Sequence, residues 1–213
     1  MDLWVFDNDG TLYDDFGAGE QFMRIFFRYF SELLDISIEQ VSSEIVRLKT
    51  KWNTEFSILA LVKEHNVGFA EIVNHTYLKI KLEECNITTP DIAKFNILNS
   101  IKSRKVVFTN NPSIFARYVL SYIGLAECFS DFIGMEETRF CLKPDPNAYR
   151  VVENRHREFN RIIFCDDSLV NLEAASKLGW VTVWCKPKDA GFYLGKSHLI
   201  VSSFNDLLEL ELP

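Results

Sequence analysis

Four short apolar runs, Leu3 to Phe6, Lys105 to Phe108, Arg161 to Cys165 and Val181 to Trp184, each stop abruptly at polar residues and give way to a stretch with helical spacing. Runs this short, without polar alternation, suit strands buried on both faces. Strands alternating with helices build a largely parallel sheet. The expected fold class is therefore α/β, in which ligands sit beyond the carboxyl ends of the strands.

Almost one hundred residues separate the first run from the second, far more than one crossover helix needs. The interval must hold an insert. Phe22, Ile25, Phe26, Tyr29 and Leu33 recur at helical spacing, and Ile38, Val41, Ile45 and Leu48 line one face of a second helix starting near Ser37. Stretches from Phe56 to His65 and from Phe69 to Leu82 also read as helices. These predict a small helical domain over residues 17–86, set into a core of residues 1–16 and 87–213, with Gly17 to Gly19 and Asn86 to Pro90 as hinges.

Composition excludes several classes. Hydrophobic residues at 47% and charged residues at 25% are the balance of a globular chain, not a disordered one. No apolar run reaches membrane-spanning length. The first strand begins within two residues of the N-terminus, which leaves no room for a signal peptide, so a cytoplasmic protein is expected. Five scattered cysteines, with no C-x-x-C pair, read as reduced thiols. Cys141 and Cys165 lie close to Lys143 and Asp166 but are read as structural. The four histidines have no metal-ligand spacing. A net charge of −7 argues against a nucleic-acid polymer as partner, and a site for a small anion on such a chain needs its own cations.

The strand ends supply candidates. Asp7 and Asp9 follow the first run, separated by one residue so that both carboxylates can face one site, and Gly10 lets the chain turn. Two such acids can divide phosphoryl transfer: one attacks phosphorus, and the other protonates the departing oxygen and then activates water. The second run ends in Thr109-Asn110-Asn111-Pro112, where Asn111 is placed to cap a helix and a hydroxyl with free backbone amides suits phosphate oxygens. Lys143 precedes a helix start at Asp145-Pro146 and offers a cation to phosphate and to Asp7. Asp166-Asp167-Ser168 closes the fourth strand, with Asp167 or Ser168 as a possible helix cap. Adjacent carboxylates facing Asp7 would repel one another without a cation, and magnesium matches such oxygen ligands.

In this order, Asp7-Asn8-Asp9-Gly10-Thr11, Thr109-Asn110, Lys143-Pro144 and Asp166-Asp167 resemble the four motifs of the haloacid dehalogenase superfamily over nearly the whole chain. The resemblance implies a Rossmann-like core with a C1-type helical cap. It implies Asp7 as nucleophile and metal ligand, and Asp9 as acid/base and as ligand through its backbone carbonyl. Thr109, Asn110 and Lys143 would bind phosphate, with Thr109 and Lys143 also serving catalysis. Asp167, or else Asp166, would complete the Mg2+ site. Asn171 stands where many members carry another acid. Thr11-Leu12-Tyr13 and the segment from Asp166 to Leu172 are most similar to the pyrimidine 5′-nucleotidase branch, which implies a small phosphorylated metabolite such as a nucleoside monophosphate as substrate. Phosphoglycolate or sugar phosphatases, phosphomutases and a non-catalytic metal- and phosphate-binding protein are the rivals. Phe26, Phe27, Tyr29, Phe30 and Trp52 could stack on a base, although aromatics at helical spacing are mostly core.

Overall fold

The computed structural model describes residues 1–14, 17–54, 56–85, 87, 90–185 and 198–212. Its chain divides into two compact units, Met1–Asp15 with Ile87–Pro213, and Phe16–Asn86. Of the expected hinges, Gly17 lies at the start of a helix with φ of 97°. Asn86, Thr88 and Thr89 of the second hinge lie outside the described residues.

The larger unit is a six-stranded parallel sheet in the order β3-β2-β1-β4-β5-β6. The four apolar runs form β1 (Asp2–Phe6), β2 (Arg104–Phe108), β4 (Arg161–Asp166) and β5 (Val181–Cys185). Two three-residue strands not expected from the sequence, β3 (Asp131–Ile133) and β6 (Leu199–Val201), complete the edges. Leu3, Val5, Val106, Phe108 and Phe164 are fully buried and pack with Tyr149 and Trp180 in the main core. The strand order reverses between β1 and β4, which places the crevice of a doubly wound sheet at the carboxyl ends of those two strands.

The smaller unit holds α1 (Ala18–Leu34), α2 (Ile38–Lys51), α3 (Ser57–His65) and α4 (Phe69–His75). Gln40 reaches back to the Ser37 backbone N–H and starts α2 where the sequence placed it. The helix expected from Phe69 to Leu82 stops at His75, and short 3₁₀ turns at Tyr77–Lys79 and Leu82–Glu84 follow. Thr76 leaves helical geometry there, and its hydroxyl donates to the Ile72 carbonyl at 2.6 Å. Phe26 and Phe30 are buried against one another, so part of the aromatic set is core rather than an open stacking surface.

The larger unit also contains α5 (Ile92–Ser100), α6 (Ser113–Tyr122), α7 (Pro146–Arg155) and α8 (Leu169–Lys177). The α5 helix was not expected. Asp91 starts it by accepting from the Lys94 backbone N–H at 2.9 Å. No helix among the described residues is long and apolar enough to cross a membrane.

Candidate active site

Asp7 leaves β1 as the strand ends, its backbone N–H still donating to the Cys165 carbonyl of β4 at 2.8 Å. The register that pairs Phe6 with both Val107 and Cys165 brings Asp7 level with Phe108 and Asp166. Into this gap comes Lys143. Its ammonium, with side-chain exposure of 1%, donates to Asp7 Oδ1 at 2.6 Å, to Asp166 Oδ2 at 2.9 Å and to the Phe108 carbonyl at 2.9 Å. Three acceptors use its three hydrogens.

Asn110 holds this lysine in place. Its side-chain amide accepts from the Lys143 backbone N–H at 2.8 Å and donates to the Lys143 carbonyl at 3.0 Å. That side chain, expected to bind phosphate, is therefore committed to the backbone of Lys143.

The charge balance is uneven. Carboxylate oxygens of Asp7, Asp166 and Asp167 lie within 4.8 Å of one another, against one lysine. Burial pushes the Asp7 carboxyl well above the usual range; the Lys143 charge opposes that shift, and Asp166 and Asp9 add to it. Burial also raises Asp167, with the charge of Asp166 second. Burial would lower Lys143, but the charges of Asp166 and Asp7 and its hydrogen bonds to both hold the ammonium above its ordinary value. Hard oxygen donors with surplus negative charge fit a divalent cation, which would stabilise the ionised carboxylates.

The two motif-four acids have different surroundings. Asp166 is fully buried and accepts from Lys143, from the Ser168 backbone N–H at 2.8 Å and from Asn171 Nδ2 at 3.1 and 3.2 Å. The Ser168 amide is thus satisfied by Asp166, and neither Asp167 nor Ser168 caps α8 through its side chain. Asp167 is half-buried, and its carboxylate crosses Gly10 so closely that a Cβ there would sit 2.6 Å from Oδ2. Gly10 has φ of 79°, a conformation glycine adopts without strain. Trp184 Nε1 donates to the Asp167 carbonyl at 2.8 Å and fixes that backbone.

Asp9 has a seat of its own. Tyr13, buried and four residues on, donates its hydroxyl hydrogen to Asp9 Oδ1. Asn111 Nδ2 donates to Oδ2 at 2.9 Å, and the Thr109 hydroxyl donates to the same oxygen at 3.3 Å. Donors on both oxygens fix the plane of the carboxyl as well as its position. Asn111, expected to cap α6, is turned to Asp9 instead. The first amide of α6, at Ser113, donates to the Glu136 carboxylate at 2.9 and 3.1 Å. Sequence reasoning missed the role of Asn111, whose carboxylate partner lies 102 residues away, and gave Tyr13 only as part of the branch resemblance although Asp9 stands four residues before it.

Cys165 is fully buried, and burial raises its thiol well above the ordinary value, which suits a structural residue.

Comparison with known proteins adds a family and a fold. The haloacid dehalogenase-like hydrolases match this chain over residues 1–179. Among solved structures, a HAD phosphatase from Thermococcus onnurineus superposes with a TM-score of 0.66 at 16% identity, covering 98% of this chain and 97% of that one. The HAD-hydrolase YfnB from Bacillus subtilis, bound to magnesium, gives 0.60 at 21% identity over 97% and 96%. An L-2-haloacid dehalogenase from Xanthobacter autotrophicus gives 0.56 at 13% identity over 97% and 96%. At these identities the likeness speaks for the fold, which phosphatases and dehalogenases share.

Proposed function

Since the chain belongs to the haloacid dehalogenase-like hydrolase family, we propose that it is a magnesium-dependent phosphomonoester hydrolase working through an aspartyl-phosphate on Asp7. The family alone leaves phosphate esters and organic halides both open. The observation that carries the choice is the seat of Asp9, a second acid held by Tyr13, Asn111 and Thr109 beside the buried Asp7. A proton donor for the leaving group serves ester cleavage, whereas displacement of a halide has no use for one.

In this reading an Asp7 carboxylate oxygen attacks phosphorus, the bond from phosphorus to the ester oxygen breaks, and the Asp9 proton passes to that oxygen. The alcohol departs. Ionised Asp9 then takes a proton from water, and the hydroxide attacks phosphorus to release inorganic phosphate and restore Asp7. Lys143, its three hydrogens taken by Asp7, Asp166 and the Phe108 carbonyl, keeps Asp7 oriented and offers its charge to the phosphoryl group. The Asn110 backbone amide and the Thr109 hydroxyl, turning from Asp9, would receive the phosphoryl oxygens. Bound Mg2+ would neutralise charge between carboxylates and phosphoryl group, held by Asp7, Asp167, the Asp9 carbonyl and, as an alternative ligand, Asp166.

The smaller helical unit is the proposed cap, closing about Gly17 to Gly19 and Asn86 to Pro90. The substrate is proposed to be a small phosphorylated metabolite in the cytoplasm, with a nucleoside monophosphate first and a phosphoglycolate- or sugar-phosphate-like ester second. A panel of phosphorylated metabolites, assayed for phosphate release with magnesium and with EDTA, tests the proposal. Release that needs magnesium and disappears in Asp7→Asn is expected. Full activity of Asp7→Asn would overturn the mechanism, and phosphate transfer to a second hydroxyl instead of release would make the enzyme a phosphomutase. Metal and phosphate binding without turnover across the panel would leave a binding protein.

A further inference from the structure

The smaller unit contains a cleft of about 420 Å³, within the ~300–1,000 Å³ range typical of small-molecule sites. Its walls are pinned at two places. Buried Gln21 on α1 accepts from the Lys81 backbone N–H at 3.0 Å and donates to the Lys81 carbonyl at 3.2 Å. Further along α1, the Tyr29 ring stacks on His75, with centroids 5.4 Å apart and planes 19° from parallel.

Arg24, Arg28 and Lys79 line the cleft between these two pins. Arg24 and Arg28 stand one turn apart on α1, a like-charge spacing that disfavours the helix. None of the three cations has a carboxylate partner among the described residues. Elsewhere on the same unit, Arg47 pairs with Glu44 at 2.6 Å, Lys51 with Glu64 at 2.7 Å and Lys81 with Glu84 at 2.8 Å. Glu84 also lines the cleft but is engaged by Lys81, which leaves Glu32 as the unengaged carboxylate there among the described residues. The Tyr29 hydroxyl oxygen is buried without a hydrogen-bond partner. A chain of net charge −7 that gathers unpaired cations round one walled cleft is arranged for an anion.

We propose that this cleft binds the polyanionic group of a small molecule, a cluster of phosphate or carboxylate oxygens, through Arg24, Arg28 and Lys79. Two planar guanidiniums and an ammonium supply the donors that such a group accepts. The group has two possible sources, a second anionic end of the substrate or a separate effector. Binding here does not depend on the catalytic reading, because none of the cleft residues belongs to the strand-end site.

The test is calorimetric titration of the full chain with inorganic tripolyphosphate in EDTA, where a metal-dependent phosphate site is silent. One-to-one binding is expected. It should weaken by about 10-fold or more in Arg24→Gln/Arg28→Gln, be largely kept in Arg24→Lys/Arg28→Lys, and be unchanged in Lys63→Gln, which alters a cation of the same unit outside the cleft. Equal binding by the parent and the Gln variant, or none by the parent, would overturn the proposal. Given binding, phosphatase assays identify the source. A KM raised in the Gln variant only for phosphomonoesters with a second anionic group marks the substrate. Altered turnover of p-nitrophenyl phosphate by tripolyphosphate, lost in the variant, marks an effector.

Discussion

Tyr13→Phe removes one hydroxyl and leaves the ring that packs in the core. Asp9 loses the donor on Oδ1 and keeps Asn111 at 2.9 Å, Thr109 at 3.3 Å and a long contact from Asn8 at 3.5 Å, all on Oδ2, so its carboxyl can rotate about the remaining contacts. A hydrogen bond to a charged group is worth about 1.5–3 kcal/mol. With the donors on Oδ2 retained, a loss of roughly 1–2 kcal/mol in the transition state is expected, or about 5- to 30-fold in rate. That is well below the roughly 100- to 10,000-fold expected for Asp9→Asn, which removes the acid itself. The assay is kcat and KM over phosphate esters ranging from dinitrophenol to a primary alcohol as leaving group. The alkyl ester, which needs a proton on its departing oxygen, should show the whole fall in kcat with KM unchanged. The dinitrophenyl ester should show little. A uniform fall across the series, or none for the alkyl ester, would refute the seating role of Tyr13, and an unchanged thermal midpoint would exclude loss of folding as the cause.

Lys143→Met leaves two buried carboxylates, Asp7 and Asp166, without their cation and should destabilise the metal-free protein by about 3–5 kcal/mol at neutral pH in urea unfolding. Because burial already raises Asp7, the folded variant takes up a proton more readily than the unfolded chain, so this penalty should shrink as pH falls; an equal penalty at pH ~8 and ~5 would contradict the assignment. Gly10→Ala places a Cβ against the Asp167 carboxylate and should raise the half-saturating magnesium concentration about 10-fold, with an unchanged value counting against Asp167 as a ligand. Burial lowers the pKa of His198, so the folded protein binds this proton less readily than the unfolded chain. Stability held above the ordinary histidine value of 6.5 should decline as pH falls below it. In His198→Gln that decline should be shallower by denaturant midpoint, and an identical slope would assign the acid sensitivity elsewhere.

The apolar runs marked the four central strands to within a residue or two, because strands buried on both faces read as short, near-continuous apolar runs that stop at polar residues. The edge strands β3 and β6 have three residues each, too few for any period to show. One helix boundary in the smaller unit failed, and a single residue decided it. The helix from Phe69 ends at His75, where Thr76 leaves helical geometry with its hydroxyl on the Ile72 carbonyl, and the continuous apolar spacing from Phe69 gave no sign of that break. The strand-end residues were legible because topology brings the ends of parallel strands to one edge. Their division of labour was not. Asn110 reads as a phosphate ligand beside Thr109, yet its amide is claimed by the backbone of Lys143, and Asn111 reads as a cap only while Glu136 is out of view.

Trapping the covalent enzyme tests the central claim most directly. A generic phosphomonoester labelled in the phosphoryl group is mixed with a stoichiometric excess of enzyme and magnesium, quenched in acid within one turnover, and digested for mass spectrometry. The label should sit on the peptide carrying Asp7, be released by hydroxylamine as an acyl phosphate, and be missing from Asp7→Asn. Phosphate release by the parent enzyme with no label on that peptide at any quench time, or label persisting in Asp7→Asn, would contradict Asp7 as the nucleophile.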